Sequence, residues 1–411
     1  ASAESGTAAA GDDWDVYWNN GLRFESPDDQ FEIKMGGRLM MDWARIDADD
    51  DVATFFRDSD LDGGTGTEFR RARLYVSGTL YERIDFKAQY DFAGGDADLK
   101  DAYIQLNDIP RIGSFRVGHF KEPFSLEELT SSKYITFMER SLPTEAFAPS
   151  RNSGFYVQNA PLDKRMTWAA GYFRDTDDSG FDFGKDDIWN LSGRVTGLPW
   201  YADEGSKLLH LGFSYSHSFS DGDVRYRSRP EAHLSPVRFV DTRSFAADDV
   251  DLINPEVALV FGPFSLQGEY YRAFVDSEVQ DDPELDGFYV EASYFLTGEH
   301  RAYKTSAAAF DRVKPAHNFD GKGGWGAWQI AARYSQVDLA DGNLSTLDFD
   351  DGDDPLDPAD DDNVAREADN ITVGLNWYLN PNVRVMLNYV YSDLEDLDAT
   401  NIFQTRFQID F

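Results

Sequence analysis

The chain has 411 residues, no cysteine, and 75 Asp and Glu against 38 Lys and Arg, giving a formal charge of −37. That composition excludes a disulfide scaffold and a thiolate metal site. An acidic surface repels phosphate backbones, which argues against nucleic acid as a partner.

Length alone admits roughly two to four ordinary domains or one large barrel. No apolar run reaches the ~18–20 residues of a membrane-spanning helix. The opening Ala1-Ser2-Ala3-Glu4 lacks the basic flank and apolar run of a signal peptide, so any export signal is expected to have been removed already. Aromatic side chains are plentiful (31 Phe, 20 Tyr, 9 Trp), the opposite of a disordered acidic chain.

In chain order, residues 1–30 read as an N-terminal segment, partly flexible or periplasmic. From residue 31 the dominant pattern has period two, the spacing of a strand with two unlike faces. Ile33, Met35, Leu39, Met41 and Trp43 alternate with Glu32, Lys34, Arg38 and Asp42, and Phe403, Thr405, Phe407, Ile409 and Phe411 with Gln404, Arg406, Gln408 and Asp410. Sixteen such segments are predicted: 31–43, 71–80, 84–92, 101–107, 115–120, 154–159, 166–174, 188–196, 208–216, 256–261, 265–274, 287–296, 327–336, 371–379, 383–391 and 403–411.

Tight turns (81–83, 262–264, 380–382) alternate with long acidic connections such as 44–70, 121–153, 217–255 and 337–370. An even strand number with short turns on one end and long loops on the other predicts a transmembrane outer-membrane β-barrel of sixteen antiparallel strands over 31–411. The connection 297–326 lies on the short-turn end and breaks this rule. A soluble β-sandwich fits less well. One face of the strands is charged or amide-bearing (Asp85, Lys87, Gln89, Asp91), and aromatic residues mark strand ends on the other, as in interfacial girdles.

Much of the acid sits in three connections on the long-loop end, within 47–62, 275–286 and 338–370, and long acidic outer loops are assigned to 44–68 and 337–370. They read as a solvated rim of the kind useful in a salty habitat. Hard oxygen ligands suit Ca²⁺, but the strict spacing of an EF-hand loop is missing, so no metal or other cofactor is assigned.

Basic residues are scarcer and clustered. Arg71 and Arg73 share the inward face of the second strand, and Arg38 that of the first. Arg225, Arg227 and Arg229 alternate along an extended segment, with Arg238 following at a wider interval. Guanidinium groups two residues apart lie about 6.5–7 Å from one another, from a rise of ~3.3 Å per residue. Such a row offers successive charge-assisted sites for a phosphate-like anion, and conduction needs several sites of moderate strength. The plain alternative is that these arginines pair with the abundant Asp and do nothing further.

Phe69-Arg70-Arg71-Ala72-Arg73-Leu74, the stretch from Gly118 to Leu142, Leu296 to Lys304, and Leu375-Asn376-Trp377-Tyr378 resemble the phosphate-selective porin family of the porin O and porin P type, in order from about residue 31 to 411. The resemblance implies a homotrimer of 16-stranded barrels in the bacterial outer membrane, in contact with lipid and lipopolysaccharide. Each pore would be narrowed by an infolded third loop, here 121–153, and would conduct phosphate, pyrophosphate or other small anions.

The resemblance assigns Arg225, Arg227, Arg229 and Arg238 to an arginine ladder. It assigns Arg38, Arg70, Arg71, Asp101, Ser131, Ser132 and Arg140 to a constriction, with Lys133 beside them. Family members carry lysine where this chain has Glu128, and tyrosine where it has Arg73 and Lys121. These exchanges conserve the local charge but not the geometry. They would suit a larger anion or relax phosphate preference, or Glu128 would pair with Lys121.

Two further functions compete. A general or cation-preferring diffusion porin with an acidic rim follows if Asp and Glu neutralise the lumen arginines. An outer-membrane enzyme would need a nucleophile and base, and the six histidines (119, 210, 217, 233, 300, 317) sit in no Ser/His/Asp-like setting, so no catalytic residue is expected.

Overall fold

Alternating apolar and polar side chains make each predicted segment a strand, and the computed structural model pairs them into one closed sheet. Described are residues 13–177, 179–183, 188–277, 282–341, 365–395 and 397–411. The sixteen barrel strands are β1 Phe31–Ala48, β2 Asp62–Leu80, β3 Ile84–Asp91, β4 Asp98–Ile109, β5 Gly113–Lys121, β6 Arg151–Asn159, β7 Met166–Arg174, β8 Trp189–Ala202, β9 Lys207–Val224, β10 Phe245–Phe261, β11 Phe264–Asp276, β12 Glu284–Phe295, β13 Ala327–Asp338, β14 Glu367–Asn380, β15 Val383–Leu394 and β16 Thr400–Asp410. Each pairs antiparallel with its sequence neighbours, and β16 closes on β1 in a register running from Thr400 opposite Ala48 to Asp410 opposite Arg38.

The closing seam explains the Gly36-Gly37 pair. Gly37 exchanges backbone hydrogen bonds with Phe411 (2.7 and 3.0 Å), and a Cβ on Gly36 would lie 2.4 Å from the Phe411 carbonyl oxygen. A side chain there would wedge the first and last strands apart.

Outside the barrel the apolar set is exposed on every side: Leu39, Leu74, Ile104, Val117, Phe155, Val195, Phe213, Val257, Val290, Ile371 and Phe403 are all 43–58 % accessible. Burying one such side chain is worth ~1.5–3 kcal/mol, so a full belt of them requires a hydrocarbon surrounding. Aromatic pairs flank the belt. Tyr172 stacks on Trp189 at the long-loop end, while Trp328 stacks on Trp377 and Trp200 packs near Phe261 at the short-turn end. Residues Asp15–Trp18 and Leu22–Glu25, within the predicted N-terminal segment, form a hairpin whose second strand pairs with Glu32–Met35 of β1. Residues 1–12 and most of the acidic stretch 338–370 lie outside the described residues.

Several strands run beyond the expected bounds, β2 from Asp62 rather than 71 and β9 to Val224 rather than 216, and two differences bear on the interior. β10 begins at Phe245 rather than 256, because both of its faces are apolar in part and the alternation is blurred. Its inward Val250, Leu252 and Val260 are buried among other side chains instead of facing water. In β2 the pairing with β1 slips between Met40 and Met41, which sit opposite Arg71 and Phe69. Arg70 is therefore an extra residue, and the bulge turns it toward the interior beside Arg71.

The connection 122–150 makes hydrogen bonds to the inward face of distant strands. The Leu126 and Glu127 amides donate to Glu269 (3.0 and 2.7 Å), and Asn376 donates to the Thr136 carbonyl (2.9 Å). Arg384 donates to the Ile135 carbonyl (2.8 Å) and Arg406 to that of Met138. Connection 296–326, the exception on the short-turn end, folds back the same way. Arg301 bonds Glu291 and Gln267 at 3.0 Å each, the Ala308 carbonyl accepts from Arg194 (3.0 Å), and the Phe310 amide donates to Thr130 Oγ1 (3.3 Å). These two connections pack against the β10–β16 wall, with an apolar cluster around Phe124, Leu142, Phe147, Phe239, Tyr271 and Tyr289.

Candidate functional site

Half of the interior is filled and half is open. A cavity of about 2230 Å³ runs along the β1–β9 wall and reaches residues at both ends, Asp203 and Glu204 at one and Asp175 and Arg225 at the other. No residue of β10–β16 lines it. Its lining holds eighteen Lys and Arg against eleven Asp and Glu, in a chain where acids outnumber bases about two to one. The balance of charge in this lining is the reverse of that in the whole chain.

All eleven residues assigned to the constriction line this one cavity: Arg38, Arg70, Arg71, Arg73, Asp101, Lys121, Glu128, Ser131, Ser132, Lys133 and Arg140. Of the four ladder residues, only Arg225 does. It is held by Asp241 (2.7 Å from its Nε), while Arg229 and Arg238 share Glu145 at 3.8 and 2.9 Å. Arg227 has no carboxylate within 4 Å among the described residues.

The carboxylates are too few for the cations around them. Glu139 takes Arg70 through both its oxygens (2.9 and 3.0 Å), Arg406 at 2.6 Å and Arg71 at 3.6 Å. Arg406 in turn takes both oxygens of Asp42. Asp101 serves Lys87 (2.5 Å) and Arg151 (2.8 Å). Glu128 serves Lys121 (2.7 Å) and Arg140 (2.8 Å), and Asp410 serves Arg312 and Lys133 (3.6 Å to the latter). Arg73 has a carboxylate, Asp91, to itself (2.5 Å), as Arg225 has Asp241.

Arg38 stands apart. Its Nη1 donates to Ser132 Oγ (2.9 Å) and Ser131 Oγ (3.3 Å), its Nε has no acceptor, and no carboxylate lies within 4 Å among the described residues. A buried guanidinium with only neutral partners is an incomplete ion pair, poised for an anion from the lumen.

Burial would raise the carboxyl pKa of Glu139, but Arg70, Arg71 and Arg406 outweigh it and hold that group well below the ordinary carboxylate range. The same contest, won by Arg140 and Lys121, keeps Glu128 low. Lys133 goes the other way. Burial, with Arg38, Arg312 and Lys34 repelling further charge against the pull of Asp410, brings it down to about 8.

Sequence reasoning missed Arg116, Arg151, Arg194 and Arg312 among the lumen cations. Each lies on an alternating face or a loop whose inward direction only the barrel defines.

A closed sixteen-stranded barrel with an apolar outside and an open polar interior is a porin, a channel protein of the bacterial outer membrane. The chain belongs to the family described as Phosphate-selective porin O and P, which matches residues 33–411. It is 27% identical to Porin O of Pseudomonas aeruginosa, over 98% of this chain and 92% of that protein. Among solved structures, the anion-selective porin of Comamonas acidovorans superposes with a TM-score of 0.56 at 14% identity, covering 93% of this chain and all of that one. The channel DcaP of Acinetobacter baumannii does so at 0.56 and 12%, over 94% and 99%. At those identities the structures share the fold.

Proposed function

We propose that this porin selects small oxyanions, phosphate and pyrophosphate foremost, and that it does so as a homotrimer without enzymatic activity. The observation that carries the reading is the reversal of charge between the whole chain and the cavity lining, with Arg38 uncompensated at its centre. Shared carboxylates hold the surrounding cations in place without neutralising them, so an anion meets a series of partly satisfied sites and is passed on. The acidic rim does not cancel this. Charges in bulk water are screened over about 8–10 Å, whereas lumen charges act across a narrow, protein-walled space. The family description and the printed name of the Comamonas porin point the same way.

The test is the reversal potential of the full-length protein in a planar bilayer under a potassium chloride gradient at pH 7, followed by phosphate on one side. Anion preference with saturable block of the chloride current by phosphate is the expected result. Cation preference would overturn the proposal.

A further inference from the structure

Arg116 lies on β5, three residues after Gly113, its first residue, and therefore near the short-turn mouth of the barrel. Strand alternation puts Phe115 and Val117 on the lipid side and Arg116 in the cavity lining. Like Arg38 it has no carboxylate partner, but where Arg38 rests on two serines, Arg116 is held by rings. Its Cζ lies 3.9 Å from the centroid of Tyr103, 5.0 Å from Tyr156 and 5.3 Å from Phe120. Its Nε donates to Gln105 Oε1 (2.8 Å), which also accepts from Gln158 (3.2 Å), while the Gln105 amide nitrogen donates to Asn107 (2.6 Å).

The difference matters for chemistry. A salt-bridged arginine spends its donor edge on the carboxylate. A stacked arginine is held through its π-face and keeps that edge free. Neither Nη of Arg116 has a protein acceptor, and no carboxylate lies within 4 Å among the described residues.

We propose that Arg116 is a second oxyanion-binding station, separate from the constriction and on its short-turn side, where phosphate-like anions rest on leaving or reaching the narrow zone. Tyr103, Tyr156 and Phe120 fix the plane of the guanidinium, Gln105 fixes its rotation, and Ser114 and Gln158 supply neutral polar partners around it. The inference rests on the reading of the pore as anion-conducting.

Inorganic phosphate added to one side of a bilayer at a time tests it, with the full-length wild type, R116Q, R116K and R38Q. R116Q should raise the half-blocking phosphate concentration from the short-turn side by about two- to fivefold, the loss of one partly exposed charged contact. Block from the long-loop side should stay unchanged. R116K, which keeps the charge but not the stacked fork, should fall between. R38Q should weaken block from both sides. Wild-type block from both sides with R116Q and R116K indistinguishable from it would overturn the station while leaving the channel reading intact. A wild type that phosphate blocks from neither side would overturn the channel reading itself.

Discussion

Glu128 Oε2 lies 2.8 Å from Arg140 Nε, with Lys121 held at 2.7 Å by the other oxygen of the same carboxylate. Lys121 and Arg140 thus share a single carboxylate. We propose that Glu128 competes with a lumen oxyanion for these two donors.

Replacing it with glutamine should remove the carboxylate they share and leave both cations on backbone carbonyls alone. Glu128→Gln is expected to lower the half-blocking phosphate concentration by about threefold or more and to increase anion preference, both measured in single-channel recordings at pH 7. An unchanged half-blocking concentration would count against competition.

Arg38 should be the most sensitive single position. Because it has no carboxylate partner, Arg38→Gln strands no buried charge, and the barrel should keep its heat-modifiable migration on gels. Phosphate block should weaken by about tenfold or more, since a charge-assisted hydrogen bond in a partly dry site is worth ~1.5–3 kcal/mol. Equal block in variant and wild type would remove Arg38 from the site.

Lys133 should make the channel pH-dependent. Its ammonium is brought down to about 8, so it is charged below that pH and neutral above it. Anion preference should fall as pH rises from 7 to 9. At a separation of about 7 Å a unit charge contributes ~0.6 kcal/mol in water, and an effect of that order changes the permeability ratio by about two- to threefold. Lys133→Arg stays charged throughout and should flatten the profile, which is read from reversal potentials at fixed salt.

Glu139 is expected to matter for stability before conduction. It faces Arg70, Arg71 and Arg406, and Glu139→Gln would leave these cations undercompensated on connection 122–150 and the adjoining wall. Breaking a buried pair of this kind costs ~3–5 kcal/mol. The expected result is a clear drop in thermal midpoint in detergent, whereas Glu145→Gln, whose side chain is 29% accessible, should change it little.

The strands were legible because alternation is local. β16 needs only its own eleven residues to announce one greasy and one polar face. The weak case was β10, where Val250, Leu252 and Val260 face inward against packed connections, so neither face reads as wet. Arg70 shows another limit. Strict alternation counted back from Arg71 sends it outward with Ala72, and only the extra residue between the Met40 and Met41 pairings turns it in.

By itself, the sequence determined the closed barrel, its strand number and direction, the lipid-facing belt and the family, because each of these depends on residue spacing along short segments. What tertiary structure alone decided is which half of the interior is open. Connections 122–150 and 296–326 fill the side beneath β10–β16 through pairings such as Arg406 with Glu139, 267 positions apart, and leave Arg38 and Arg116 on the wet side. Which cation meets a shared carboxylate, and which is left without one, is settled only when segments remote in the chain compete for the same few acids. That competition is long-range electrostatics in a confined volume, and no local pattern encodes it.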